Sequence, residues 1–156
     1  MKRFSNSIGA ITLTALLLGA GPALSMGGGF GDDPAAKYKE AVEAVEAKKY
    51  DDAIKSLEAV LEDDGRNADA LNYMGFSYRK LGRYELALNF YTRALKVNPD
   101  HKGANEYIGE AYLELNQPEK AKTHLDRLAK LCNSSCEEYD GLKKAWDAWQ
   151  AKQKRS

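Results

Sequence analysis

The sequence predicts an all-α fold in which helical units stack along the chain. The first observation is an internal repeat, because identical residues recur at an offset of 34. The matching pairs are Gly75 with Gly109, Tyr78 with Tyr112, and Ala87 with Ala121. The second observation is that helix caps and breakers fall in the same register. A fixed period of this size is typical of stacked-repeat proteins, in which each unit buries a face only against its neighbours.

The first 25 residues have the layout of a cleavable signal peptide. A basic start with Lys2 and Arg3 precedes an uncharged run over 8–18. This run is about half the ~20 residues that a membrane-spanning helix needs. Small residues place the expected cut after Ser25. We therefore expect export to the periplasm without stable membrane insertion, and a retained signal that tethers the chain is the alternative.

The glycine-rich segment 26–33 is expected to be a flexible tether, because it has much backbone freedom and little to bury. Without the signal peptide the chain has 21 basic and 23 acidic side chains. This near balance provides no basic patch for the phosphates of a nucleic acid or for an anionic membrane surface. We therefore expect no nucleic acid partner and no membrane-surface binding.

Capping residues and prolines place six helices along the next part of the chain. Asp33 precedes Pro34, which suits an N-cap followed by proline in the first turn. Asn67 can cap the second pair, and Gly82 can end the first helix of that pair. Pro118 can begin the last repeat helix. The expected helices are 34–47, 50–63, 68–81, 84–97, 101–114 and 118–131.

Gly75 and Ala87 are expected where the two helices of a pair cross. A side chain larger than alanine would force the helix axes apart from the ~8–10 Å of close packing. Glycine costs ~1 kcal/mol in a helix interior. Because glycine recurs at Gly109 in the same register, we interpret it as a packing requirement.

A seventh helix is expected after these six. Ser135 with Glu138 three residues later forms a capping-box pattern, and four apolar residues then share one stripe. They are Tyr139, Leu142, Trp146 and Trp149. Because the last repeat of a stack exposes a face without a neighbour, this helix is expected to cover it. An exposed tryptophan pair that awaits a partner is the alternative.

The repeat resembles the tetratricopeptide repeat family, whose pattern spaces a large apolar residue, a glycine, a tyrosine, two alanines around an aromatic residue, and a proline. The middle repeat, 68–101, matches well. Its matching residues are Leu71, Met74, Gly75, Tyr78, Ala87, Tyr91, Ala94 and Pro99. Repeat 102–135 has Leu128 in place of the second alanine, and repeat 34–67 has Ala41 in place of the glycine.

The resemblance implies a right-handed superhelical stack of three helix pairs plus a C-terminal capping helix. It makes the chain similar to small exported bacterial members of the family. The expected organisation is a signal peptide, a tether, three repeats, and a capping helix with a basic tail. These are 1–25, 26–33, 34–135 (34–67, 68–101 and 102–135) and 136–156.

Cys132 and Cys136 are the only cysteines, and they lie at the corner between two expected helices. Across such a corner the Cα atoms can reach the ~4.4–6.8 Å that a disulfide needs. An exported protein meets oxidising conditions. We therefore predict a structural disulfide, and a thiol-active accessory factor using the same pair is the alternative hypothesis.

The sequence has few other candidates for metal-binding or catalytic residues. The two histidines, His101 and His124, have no spacing typical of a metal site. The sequence has no GxSxG motif for serine catalysis. We therefore expect no metal, no cofactor and no enzymatic activity.

The resemblance implies that function lies on a surface. Repeats of this family typically bind an extended peptide or a partner helix in a concave groove lined by the first helix of each pair. The resemblance assigns positions 2, 5, 9, 12 and 13 of each repeat to this groove. The matching residues include Tyr38, Val42, Val45, Asn72, Phe76, Arg79, Lys80, Glu106, Glu110, Leu113 and Glu114. Tyr38 and Phe76 would be apolar anchors, and Asn72 would pair with a peptide backbone. Arg79 and Lys80 would stand opposite an acidic end.

Two features of the sequence bear on the character of this groove. Glu106, Glu110 and Glu114 are spaced by four and could form a solvated acidic stripe with no partner. Chaperone-binding members of the family clamp a terminal carboxylate with lysine, asparagine and arginine. The matching places here carry Tyr38, Val42, Tyr73, Gly103 and Tyr107.

The sequence thus favours an exported adaptor that binds a protein or peptide without a carboxylate clamp. A self-assembling protein that uses its two solenoid ends is a further hypothesis.

Overall fold

The computed structural model describes residues 33–155. The predicted signal peptide 1–25 lies outside these residues, as does all of the predicted tether except Asp33. Within the described range the chain forms seven α-helices and no β-strand. The helices are α1 (Pro34–Glu46), α2 (Tyr50–Asp63), α3 (Ala68–Lys80), α4 (Tyr84–Val97), α5 (Lys102–Glu114), α6 (Pro118–Cys132) and α7 (Glu137–Gln153). The six predicted repeat helices are confirmed to within one residue at each end.

The helices form two layers. The inner layer consists of α1, α3, α5 and α7, each of which packs on the next, while α2, α4 and α6 contact only the helices that adjoin them in sequence. Because the inner helices touch one another and the outer ones do not, the inner side of the stack is concave. We call this side the inner wall. The all-α repeat stack with a C-terminal helix is therefore confirmed.

The predicted helix caps form where the sequence places them. The side chain of Asp33 accepts a hydrogen bond from the Ala35 N–H at 3.0 Å, and that of Asn67 accepts one from the Ala70 N–H at 2.9 Å. Gly82 follows the end of α3 with a φ of 74°, in the left-handed region that favours glycine. These local signals explain why the helix boundaries could be predicted closely.

The predicted capping box at the start of α7 is wrong. The N-cap of α7 is Cys136, which makes no side-chain capping bond. Asn133 and Ser134 both have positive φ, and together they reverse the chain after α6. This tight reversal, closed by a disulfide from Cys132 to Cys136, sets the helix start one residue later than the Ser135 cap requires.

Two helix glycines allow close packing, as predicted. A Cβ at Gly75 would lie 2.6 Å from the ring of Tyr91 on α4, a side chain that is fully buried. At Gly109 the nearest side chain is Leu142 of α7, 2.5 Å from the same built position, and not a residue of α6. In the last repeat the glycine therefore accommodates the capping helix instead of its own pair.

Candidate functional site

The predicted groove residues lie on α1, α3 and α5 of the inner layer. Phe76 on α3 and Tyr107 on α5 contact each other, with ring centroids 4.9 Å apart. Lys80 is exposed, and its Nζ lies 5.0 Å from the Phe76 ring centroid, within cation–π range. Tyr38 and Val42 on α1 are partly buried. The inner wall thus combines aromatic rings with charged groups.

Arg79 is bonded within the chain, whereas the sequence predicts that it faces a partner. Its side chain is 3% exposed, and its Nη2 lies 2.6 Å from Glu110 Oε2. Its Nη1 lies 2.7 Å from Glu114 Oε1. The guanidinium also lies near the Phe76 and Tyr107 rings, 5.6 and 5.7 Å from their centroids. Arg79 therefore ties α3 to α5, and Glu110 and Glu114 each form an ion pair with Arg79 instead of belonging to a free acidic stripe.

Leu113 is also less accessible than the groove prediction requires. Its side chain is 6% exposed and belongs to a core cluster with Leu125, Leu128 and Leu142. The physical reason is that α7 extends the inner layer and covers this end of α5. Leu113 is therefore a core residue that anchors the capping helix.

A recess of about 400 Å³ on the inner wall is lined by residues of all four inner helices. We call it the acidic recess. Its carboxylates are Asp69, Glu106, Glu137 and Glu138, and its aromatic side chains are Tyr38, Tyr73 and Tyr107. The rings of Tyr38 and Tyr73 meet edge to face, with centroids 6.1 Å apart. The recess therefore has tyrosine walls and a strongly acidic rim.

One of these carboxylates is held by a histidine. The Nδ1 of His101 accepts a hydrogen bond from the Ala104 N–H at 3.0 Å and caps α5. The ring proton therefore resides on Nε2, which donates to Asp69 Oδ1 at 2.9 Å. Within residues 33–155, Glu106, Glu137 and Glu138 have no salt-bridge partner.

Asn72 lines the acidic recess with an amide oxygen that makes no hydrogen bond. The residue is 5% exposed, and its Oδ1 is buried without a partner. A Cβ at Gly103 would lie 3.2 Å from its Nδ2, so the glycine leaves room for the amide. A buried polar atom normally has a partner, so the Asn72 oxygen is an unsatisfied acceptor next to the recess.

Glu106 lies against the backbone of α7, where a Cβ at Gly141 would overlap its carboxylate. Burial, then the charges of Glu110 and Glu138, raises the pKa of Glu106 to about 8. Glu137 acts in the same direction, and Arg79 acts against it. At neutral pH the Glu106 carboxyl is therefore mostly protonated in the folded chain.

This pKa predicts a pH-dependent stability. Between pH 4.5, the ordinary carboxyl pKa, and about pH 8, the unfolded chain loses the Glu106 proton while the folded chain keeps it. Stability therefore falls as pH rises across this window. Glu106→Gln should match the wild type at pH 4 and exceed it at pH 9. The expected gain is on the order of 1 kcal/mol, because the partly exposed group is screened by solvent. Urea unfolding at both pH values measures it, and an equal difference at both would contradict it.

Sequence reasoning missed Asp69, Glu137 and Glu138 as recess residues, although a signal was present. Asp69 holds the second place of repeat 68–101, one of the positions that the family resemblance assigns to the groove. Continuing the 34-residue period into α7 brings Glu137 to the same place. The sequence predicts α7 only as a cap, whereas α7 packs on α5 as a fourth inner helix.

Cys132 and Cys136 are joined by a disulfide, with their Cα atoms 5.9 Å apart, at the predicted corner. No helix within residues 33–155 combines the length and hydrophobicity of a membrane span. In the same range, no three or more His, Cys, Asp or Glu side chains come together as a metal site.

Comparison with known proteins agrees with the fold. Family models described as tetratricopeptide repeat match residues 68–101 and 104–132. The uncharacterised protein ycf37 of Pyropia yezoensis is 31% identical over 72 residues, which are 46% of this chain and 40% of ycf37. The chain thus spans less than half the length of that relative.

Solved structures of repeat proteins are similar in fold. One is the first TPR of Spaghetti (RPAP3) bound to the HSP90 peptide SRMEEVD, with 22% identity, a TM-score of 0.66, and coverage of 74% of this chain and 91% of that one. Another is the Yersinia enterocolitica type III secretion translocator chaperone SycD, with 19% identity, a TM-score of 0.68, and coverage of 77% and 85%. At these identities the likeness concerns the fold.

Proposed function

Because this chain is a tetratricopeptide repeat protein, we propose that it is an adaptor that binds a protein or peptide on its inner wall and carries out no chemistry. The observation that carries the proposal is the concave inner wall itself. It presents the partly buried rings of Phe76 and Tyr107 and the exposed Lys80, beside Asn72, whose buried amide oxygen has no partner within the chain. Aromatic anchors beside unsatisfied polar groups are typical of polypeptide-binding surfaces.

The similar structures support this class of function. The first TPR of RPAP3 is bound to a peptide, and SycD is a translocator chaperone. Both proteins therefore engage other polypeptides. For the present chain, the signal-like layout of 1–25 favours an adaptor that acts in the periplasm.

The charge of the inner wall indicates which kind of peptide this chain would not bind. The peptide SRMEEVD has an acidic end, and an acidic end would be repelled by the carboxylates of the acidic recess. The places where related proteins carry a carboxylate clamp hold Tyr38, Tyr73 and Tyr107 among others. The proposed partner is therefore not bound through a terminal carboxylate.

A photocrosslinking experiment tests the inner wall as the binding surface. A photoreactive amino acid replaces Lys80 on α3 or, as the matched control, Lys96 on α4, since both lysines are exposed. Expressed in the cell that makes the protein, the position 80 variant should capture a discrete partner band that the position 96 variant does not. Equal capture at both positions, or capture at position 96 alone, would place the binding surface elsewhere.

A further inference from the structure

We propose that the acidic recess binds the cationic side chain of a lysine or arginine in the partner polypeptide. This inference rests on the proposed function, because it names the chemistry of one contact on the inner wall. It concerns a different place from the Arg79 ion pair, which lies further along α3 and is already complete within the chain.

The first argument is charge. Each acidic group near Arg79 has its cation, since Glu110 and Glu114 both bond the guanidinium. In the acidic recess, Glu106, Glu137 and Glu138 converge with no Lys or Arg of residues 33–155 bonded to them. Burial and this crowding keep Glu106 mostly protonated in the free chain, and a cation bound among the carboxylates favours the ionised form of Glu106 and relieves their repulsion. The recess therefore attracts positive charge and repels anions.

The second argument is the amide of Asn72. Its buried Oδ1 accepts no hydrogen bond within the chain, although the residue lines the recess. An ammonium or guanidinium group offers several N–H donors and no acceptor. Such a group can bond a carboxylate of the recess and, once the Asn72 amide turns to bring its oxygen to the recess surface, this oxygen as well. A partner's carboxylate offers neither the donor nor the charge.

The third argument is the shape and surface of the recess. Tyr38, Tyr73 and Tyr107 form its walls, and aromatic faces attract cations and pack against apolar side-chain stems. A volume of about 400 Å³ falls in the range of small-ligand clefts, which begins at ~300 Å³. A metal ion is a poorer occupant, because no metal-binding set of three or more such ligands forms among the described residues.

Titration with small probes tests the chemistry directly. Nα-acetyl-lysine methylamide and Nα-acetyl-arginine methylamide are added to the isotope-labelled full chain at pH 8.5, where Glu106 is mostly ionised, and amide shifts are followed by NMR. Saturable shifts are expected at residues of the acidic recess, such as Asn72, Glu106 and Tyr107. The norleucine and glutamate analogues should give none. Equal shifts from norleucine, or shifts confined to other surfaces, would overturn the proposal.

Charge-neutral variants assign the effect to the recess. Glu106→Gln with Glu138→Gln should weaken binding of the lysine and arginine probes about fivefold, since two partly exposed charge contacts contribute ~1 kcal/mol together. The control, Glu58→Gln with Glu62→Gln, removes two exposed charges from α2 and should leave binding unchanged. Equal weakening in both variants would mean that only overall charge matters, and the proposal would fall.

The photocrosslink from position 80 separates this inference from the proposed function. If Glu106→Gln with Glu138→Gln reduces partner capture, both stand. Undiminished capture would overturn the recess assignment and leave the adaptor function intact. The absence of any crosslink from position 80 when Glu106 and Glu138 are unchanged would remove both.

A second copy is the competing occupant, because the C-terminal segment carries Lys154 and Arg155. Sedimentation of the full chain should show no dimer that depends on Glu138. A dimer abolished by Glu138→Gln would assign the recess to self-association and overturn the partner assignment.

Discussion

Replacing Gly75 with leucine is expected to lower the free energy of unfolding by about 3 kcal/mol, the upper end of the usual cost of overpacking a core. The first added carbon would lie 2.6 Å from two ring atoms of Tyr91, well inside van der Waals contact. Tyr91 is fully buried, and its ring also packs near Tyr107, with centroids 6.4 Å apart. Because the ring has no space to move into, α3 and α4 must separate. Urea unfolding followed by circular dichroism measures the loss.

Gly75→Ala is the sharper test, because the close crossing and helix propensity predict stability changes of opposite sign. In an unconstrained helix this change would gain ~1 kcal/mol in helix propensity, but here the new methyl group meets the Tyr91 ring. We expect a net loss of stability. The matched control is Gly65→Ala in the turn between α2 and α3, where the nearest atom to a new Cβ is 3.5 Å away. A stabilised Gly75→Ala variant would mean that the helices are not held at this crossing.

The helical framework could be predicted because its signals are local. Asp33, Asn67 and Gly82 each fix a helix end through their own side chain or backbone. The repeat period then extends the same boundaries to the neighbouring units. The prediction of where α7 begins was wrong. The left-handed conformations of Asn133 and Ser134 arise from the closed corner, and no residue pattern in the sequence signals them.

The inner wall could be predicted only in part. Repeat position indicates which face of a helix a residue occupies, and it placed Tyr38, Asn72 and Phe76 on the concave side. It does not indicate what lies opposite that face. Leu113 and Arg79 are buried because α7 and α5 come to lie against them, which depends on how successive repeats pack.

Arg79→Ala is expected to destabilise the fold by about 3 kcal/mol, because Arg79 is bonded within the chain instead of facing a partner as the sequence predicts. The substitution leaves Glu110 and Glu114 without their cation, and breaking a buried ion pair typically costs ~3–5 kcal/mol. Their partial exposure, 22% and 40%, reduces this cost because water solvates the freed carboxylates. The lost contacts with Phe76 and Tyr107 add to it. Urea unfolding measures the change.

Two further variants test whether the unpaired carboxylates cause the loss of stability in Arg79→Ala. Arg127→Ala removes an arginine whose partner is the exposed Asp100, so it should cost less than ~1 kcal/mol. The triple variant Arg79→Met, Glu110→Gln and Glu114→Gln removes all three charges while keeping their approximate volumes, and it should recover most of the lost stability, since no carboxylate is left unpaired. If Arg79→Ala instead unfolds like the wild type and loses the partner crosslink from position 80, then Arg79 serves the partner and the ion pair does not hold α3 to α5.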